Sequence, residues 1–239
     1  DWAAGHVDSF DDATADHLLR DAPGVLVEVD PAGNEVRRII IWKLFDPKKD
    51  PIHASRRRWE WTHVNSIDVN PAGDIAFSAR QMNRVGVIDG KTGALTLKFT
   101  DVHGQHHVTW VDDDHIQVFD NGETSSRVIE IQVSTGEIIW TYKGKPVHQF
   151  FSSYISGAER LWSGSVLVCE GASGRLFEVT RDGDVVWEWI NPFENKRRNG
   201  DVSVTIYRAH RYPADHPAFV GRSLDPGKFE KLNKAHGLR

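Results

Sequence analysis

Hydrophobic and polar positions alternate in short runs along most of this chain, and four of the runs read alike. They are "LVEVDPAGNEV" (26–36), "VGVIDGKTGAL" (85–95), "VIEIQVSTGEI" (128–138) and "LFEVTRDGDVV" (176–186). Each is an alternating strand, a tight turn ending in glycine, and a second alternating strand, which is the pattern of a β-hairpin. The turn glycines Gly33, Gly93, Gly136 and Gly183 recur 60, 43 and 47 residues apart. Hairpins with a period in the forties mark the blades of a β-propeller. The longer spacing is a blade carrying the insertion 42–61. Trp140, Tyr142, Trp187 and Trp189 alternate on the second strand of the later copies and are expected to pack between sheets.

A further strand pair precedes each of the three later hairpins. This predicts nearly complete blades over 61–101, 104–144 and 152–191, with 24–41 as the outer hairpin of an earlier blade. The run "SVTIYRAHRYP" (203–213) reads as one more strand, closing the ring. The expected fold is therefore all-β: a β-propeller of four-stranded blades, about four of them present. Helical signal is confined to 9–21 and 226–236. The domain reading is an N-terminal extension or fragment edge (1–23), propeller blades (24–213) and a C-terminal extension (214–239).

Composition narrows the function classes. The chain has 239 residues and a formal net charge of −5, which gives no electrostatic footprint for nucleic acid. The basic runs Arg56–Arg58 and Lys196–Arg198 are short and read as solvated loops. One cysteine, Cys169, sits in the apolar run "SVLVCEG" and cannot form an internal disulfide. There is no zinc-ligand spacing, no apolar stretch long enough for a membrane-spanning helix, and no visible signal peptide.

The stretch "GQHHVTWV" (104–111) opens an inner strand with two adjacent histidines. Neighbouring strand residues point to opposite faces, so one ring at most faces a given site. Innermost strands line a propeller's channel. His63 and His106 each start such a strand and are expected to converge there, with His107 turned the other way, into the blade packing or solvent. Asn65 shares a strand face with His63, and Arg80 ends the second strand of the same blade. Two imidazoles, a carboxamide and a guanidinium suit a tetrahedral oxyanion: the guanidinium forks onto its oxygens, and an imidazole serves as nucleophile or acid/base near neutral pH. The absence of a carboxylate pair disfavours glycoside hydrolysis of the usual kind. Gln105, Ser153 and Arg208 are expected as further substrate contacts, and Trp59, Trp61 and Phe150 as candidates for an aromatic wall, half of them expected to be core instead.

"WTHVNSIDVNPAGDIAFSAR", "GQHHVTWVDDDHIQVFDNG" and "LFEVTRDGDVVWEWINPF" together resemble the bacterial arylsulfate sulfotransferases, over about residues 24–220. The resemblance implies a six-bladed propeller that moves sulfuryl groups from aryl sulfates to phenols without a nucleotide donor, by a ping-pong route through a sulfated histidine. It implies His106 as nucleophile, His63 and Asn65 as the sulfate-contacting His-x-Asn pair, and Arg80 as the arginine on the sulfate oxygens. It also implies no metal or organic cofactor, small-molecule aryl sulfate and phenol as partners, and a periplasmic or secreted setting; a homo-oligomer is left open. The family's further active-site histidine, from an N-terminal blade, has no counterpart placed here. Two other readings stay open on the residues alone: a lyase or hydrolase using the same His/Arg channel site on a uronate, and a non-catalytic binding propeller.

Overall fold

The computed structural model describes residues 24–46, 48–51, 61–196, 200–235 and 237. The chain divides after Ala209 into two units. In the first, a hairpin pairs β1 (Val25–Val29) with β2 (Glu35–Ile40). Three four-stranded antiparallel sheets follow among the described residues, each with its strands in chain order. The first contains β3 (Val64–Val69), β4 (Ile75–Ala79), β5 (Arg84–Ile88) and β6 (Leu95–Phe99). The second contains β7 (His106–Trp110), β8 (His115–Asp120), β9 (Arg127–Gln132) and β10 (Ile138–Lys143). The third contains β11 (Gly157–Arg160), β12 (Val166–Glu170), β13 (Arg175–Val179) and β14 (Val185–Ile190). These are the blades of the expected all-β propeller. The turn glycines Gly33, Gly93, Gly136 and Gly183 all have φ between 73° and 88°, a region that a side chain makes costly.

Alternation along each strand feeds a different core on each face. On β4, Ile75, Phe77 and Ala79 face a core with Ile41, Phe45, Trp61 and Met82. Ala76, between them, faces the next blade, in a core of Val85, Val87, Leu97, Val108, Ile116, Val118, Ile129 and Ile131. A third core joins the second and third blades through Phe119, Val128, Tyr142, Phe150, Val166, Val168 and Phe177. Burial between sheets, at roughly 25 cal/mol per Å² of apolar surface, drives the stacking.

The inner strands need a second device, because one edge of each carries no strand partner. Side chains of one inner strand cap the N–H groups of the next. Ser66 Oγ accepts from Val108 N–H (2.9 Å) and Asp68 Oδ2 from Trp110 N–H (2.8 Å). His107 Nδ1 accepts from Ala158 N–H (3.1 Å). His107 thus faces the blade packing, as its place beside His106 suggests. It is 3% exposed, and a Cβ on Gly157 would sit 2.3 Å from its Nδ1, so glycine there makes room for the ring.

Several expectations are corrected. Residues 203–213 form no closing strand: only β16 (Val202–Ser203) pairs, with β15 (Asn195–Lys196). Beyond it the backbone bonds to loops, with Ile206 N–H on the Gly171 carbonyl (2.9 Å) and Asn191 Nδ2 on the Val204 carbonyl (2.8 Å). Trp61 and Phe150 belong to cores rather than to an aromatic wall. Of the aromatics expected between sheets, Tyr142 lies in the core and Trp140 packs against it, with the Arg181 guanidinium 4.5 Å from the Trp140 ring centroid, whereas Trp187 lies exposed on β14. The expected helix at 9–21, the Arg56–Arg58 run, Trp59 and half of the insertion lie outside the described residues.

The second unit, His210–Arg239, holds a ring cluster of Tyr212, His216 and Phe219 and a short helix, α1 (Glu230–Ala235), with Lys234 paired to Glu230. Among the described residues no helix is long and apolar enough to cross a membrane.

Candidate active site

Polar tethers fix the segment that presents His106. Asn83, in the left-handed conformation at φ 53°, accepts from Gly104 N–H through Oδ1 (2.9 Å). His103 N–H donates to Asp120 Oδ1 (2.7 Å), and Arg127 holds the other oxygen of that carboxylate (2.8 Å). Gln105 Nε2 donates to Ser78 Oγ (3.1 Å) and to the Arg84 carbonyl (2.7 Å). The Gln105 carbonyl accepts from Asn65 Nδ2 (2.8 Å) and from Ser78 Oγ (3.3 Å). The strand then bulges between His106 and Thr109, with His107 at φ 51°, so two consecutive histidines are both buried without sharing a face.

His106 is 7% exposed, and its Nδ1 lies 2.7 Å from Asn121 Oδ1. Burial pulls its pKa down to about 4. The hydrogen bond to Asn121 opposes that fall; the positive charge of Arg80 and that of protonated His63 add to it; the Gly104 carbonyl opposes it. At neutral pH the ring is therefore an uncharged imidazole with a basic nitrogen available. Arg80 and His63 act on it through space, so the structure brings these three residues to one place. Their backbones are also joined, Arg80 N–H donating to the His63 carbonyl (3.1 Å).

The route to this grouping differs from simple blade equivalence. In the sheet register His106 faces Phe119 as Ser66 faces Ser78, so His63 is not the register counterpart of His106. His63 precedes β3 in the left-handed region, at φ 44°. Asn65 is half-buried, and its Nδ2 tethers the second blade while Oδ1 is enclosed with no partner. Gln105 has no exposed surface; rather than contacting a substrate it holds the strand that carries His106. Ser153 is exposed on the connection between blades, whereas its neighbours Ser152 and Ser156 are buried. Arg208 lies beside Cys169 and is not among the charges acting on His106. Burial pushes the Cys169 thiol up to about 12, against the charge of Arg208, so it stays a protonated thiol at neutral pH.

Asn121 is absent from the residues expected on sequence, although a signal existed. Arg80 follows the last residue of β4, and Asn121 follows the last residue of β8. The two are the same place in consecutive blades. Read alone, "DNG" is turn chemistry; read in blade register, it is a second site position. Among the described residues no cluster of three His, Cys, Asp or Glu side chains is placed to hold a metal ion.

A family model described as arylsulfotransferase (ASST) matches residues 24–192. A search of curated proteins finds no match. Similar solved structures include a protein of unknown function from Bacteroides caccae (15% identity over 74% of this chain and 63% of that one, TM-score 0.49). They also include virginiamycin B lyase from Staphylococcus aureus (15% identity, 77% of this chain and 57% of that one, TM-score 0.49). A third is the WD40 β-propeller domain of Doa1 (16% identity, 62% and 51%, TM-score 0.44). The chain spans between about half and two thirds of the length of these structures.

Proposed function

This chain belongs to the arylsulfotransferase family, and we propose that it moves a sulfuryl group from an aryl sulfate to a phenol through a sulfated His106. The observation that carries this reading is a buried imidazole, His106, held by Asn121, with Arg80 and His63 within electrostatic reach of it. In the first half-reaction a nitrogen lone pair of His106 forms an N–S bond while the S–O bond to the aryl group breaks. The phenoxide leaves with the electron pair and takes a proton from His63. In the second, an incoming phenol returns its proton to His63 as its oxygen attacks sulfur, the S–N bond breaks, and His106 is regenerated. Arg80 and Asn65 stabilise the sulfuryl oxygens as charge develops on them. The chemistry runs on side chains alone.

The test is incubation with 4-nitrophenyl sulfate and no acceptor, followed by intact mass and peptide mapping. The expected result is one sulfuryl adduct on the peptide containing His106, released as sulfated product when a phenol is added. Release of nitrophenol with no adduct on that peptide would sink the reading.

Two further outcomes follow from the electrostatics. Arg80→Ala is expected to lower kcat/KM by about 10²–10³-fold, the usual loss for one donor to a developing oxyanion, with Arg80→Lys falling between. The rate of adduct formation is expected to stay flat with respect to His106 protonation from pH 8 down to pH 5 and to fall only near pH 4, because the ring must be neutral and its pKa lies at about 4. An ordinary histidine would bend the profile near 6.5; single-turnover rates across that range separate the two cases.

A further inference from the structure

We propose that Asn121 is a positioning residue that fixes His106 as the tautomer protonated on Nδ1, leaving Nε2 as the attacking nitrogen. The tautomer assignment stands on hydrogen-bond geometry; its catalytic consequence rests on the sulfuryl-transfer reading.

The argument begins in the next blade. Asn121 Nδ2 lies 2.7 Å from the Ser152 carbonyl and 3.1 Å from the Ile155 carbonyl. Carbonyl oxygens only accept, so the group facing them is the NH₂, and the amide oxygen is the atom turned to His106. An amide oxygen cannot donate. The ring nitrogen 2.7 Å from it therefore carries the proton, and that nitrogen is Nδ1. A neutral imidazole has one N–H, so Nε2 keeps its lone pair.

The orientation is held at both ends. Ser126 Oγ donates to the Asn121 carbonyl (2.8 Å) and accepts from Ser152 N–H (2.9 Å), closing a loop through the segment that supplies the first acceptor. Ile155 supplies the second from a left-handed backbone at φ 49°. Flipping the amide would set its oxygen against two carbonyl oxygens and strand both.

Asn121 then acts a second time. Attack by Nε2 forms the N–S bond, breaks the S–O bond to the departing phenoxide and leaves a positive charge on the ring. The Nδ1 proton becomes more acidic, and its hydrogen bond to Asn121 Oδ1 strengthens as the bond to sulfur forms.

The test uses the full chain with ¹⁵N-labelled histidine. Long-range ¹H–¹⁵N spectra of the resting protein, with His106 assigned by the signals lost in His106→Gln, are expected to show Nδ1 protonated and Nε2 bare. In Asn121→Ala both tautomers should be populated, and the single-turnover rate of adduct formation should fall about 10–100-fold, typical for loss of a group that orients a reacting histidine, with KM for 4-nitrophenyl sulfate little changed. A proton on Nε2 in the wild-type protein overturns the proposal even if Asn121→Ala does not fold, and so does an unaltered tautomer in a folded Asn121→Ala. Because the spectra need no substrate, failure of sulfuryl transfer is read separately, from the absence of adduct in the wild-type protein.

Discussion

His106→Ala is expected to lower aryl sulfate turnover by about four orders of magnitude or more, the scale seen when a covalent nucleophile is removed from an enzyme whose remaining groups are intact. Among the described residues the other candidate nucleophiles are committed elsewhere. His107 is buried in the blade junction with its Nδ1 occupied by Ala158 N–H. The Cys169 thiol is held protonated by burial. His63, in the left-handed turn before β3, has only a proton-moving part on the proposed route. The measurement is nitrophenol release in wild type and variant, with added imidazole as a diffusible replacement. Partial recovery with imidazole would show that the rest of the site is intact and that the missing element is the ring. Wild-type turnover in His106→Ala would remove His106 from the mechanism.

Phe150→Ala is expected to destabilise the fold by about 3–5 kcal/mol, the range for deleting a fully buried aromatic ring. Phe150 belongs to no strand, yet it is 1% exposed and central to the core between the second and third blades. Its ring meets Phe119 and Phe177 edge-on at 5.6 Å each and lies 5.4 Å from Tyr142. Its carbonyl accepts from Ser126 N–H (2.8 Å), and the segment it anchors leads directly to Ser152 and Ile155, which hold Asn121. For a unit of this size the melting temperature should drop by about 6–20 °C. Trp162→Ala, at a residue 60% exposed, is the control and should change stability by less than about 0.5 kcal/mol. Thermal unfolding of both variants decides; equal small effects would mean that the core tolerates the loss of its central ring.

These two residues also show what could be read before the structure. Blade boundaries were legible because period-two alternation and turn glycines are local signals: the expected 104–144 became His106–Lys143 and the expected 152–191 became Gly157–Ile190. His106, His63 and Arg80 were legible as residue types suited to an oxyanion, and the structure sets them within electrostatic reach of one another. Phe150 was misread as substrate wall, since an aromatic in a connection gives no period to reveal which core it fills. The register linking His63 to His106 was misread because bulges fall on both strands, between Val64 and Ser66 and between His106 and Thr109, and each shifts the count. Arg208 was placed on a strand that its backbone hydrogen bonds do not make. Gln105 looked like a ligand to substrate because a polar residue beside a candidate nucleophile invites that reading, whereas its side chain ties one blade to the next.

The caps along the inner strands make neighbouring blades non-interchangeable. Apolar cores tolerate exchange of similar side chains at small cost. A buried N–H left without its acceptor costs about 1–3 kcal/mol. Here each seam uses its own acceptor: a serine hydroxyl for Val108, an aspartate carboxylate for Trp110, an imidazole nitrogen for Ala158. A permuted blade would find a compatible oily face but strand its donors, so the lining of the channel carries an address for each blade that the greasy layers behind it do not.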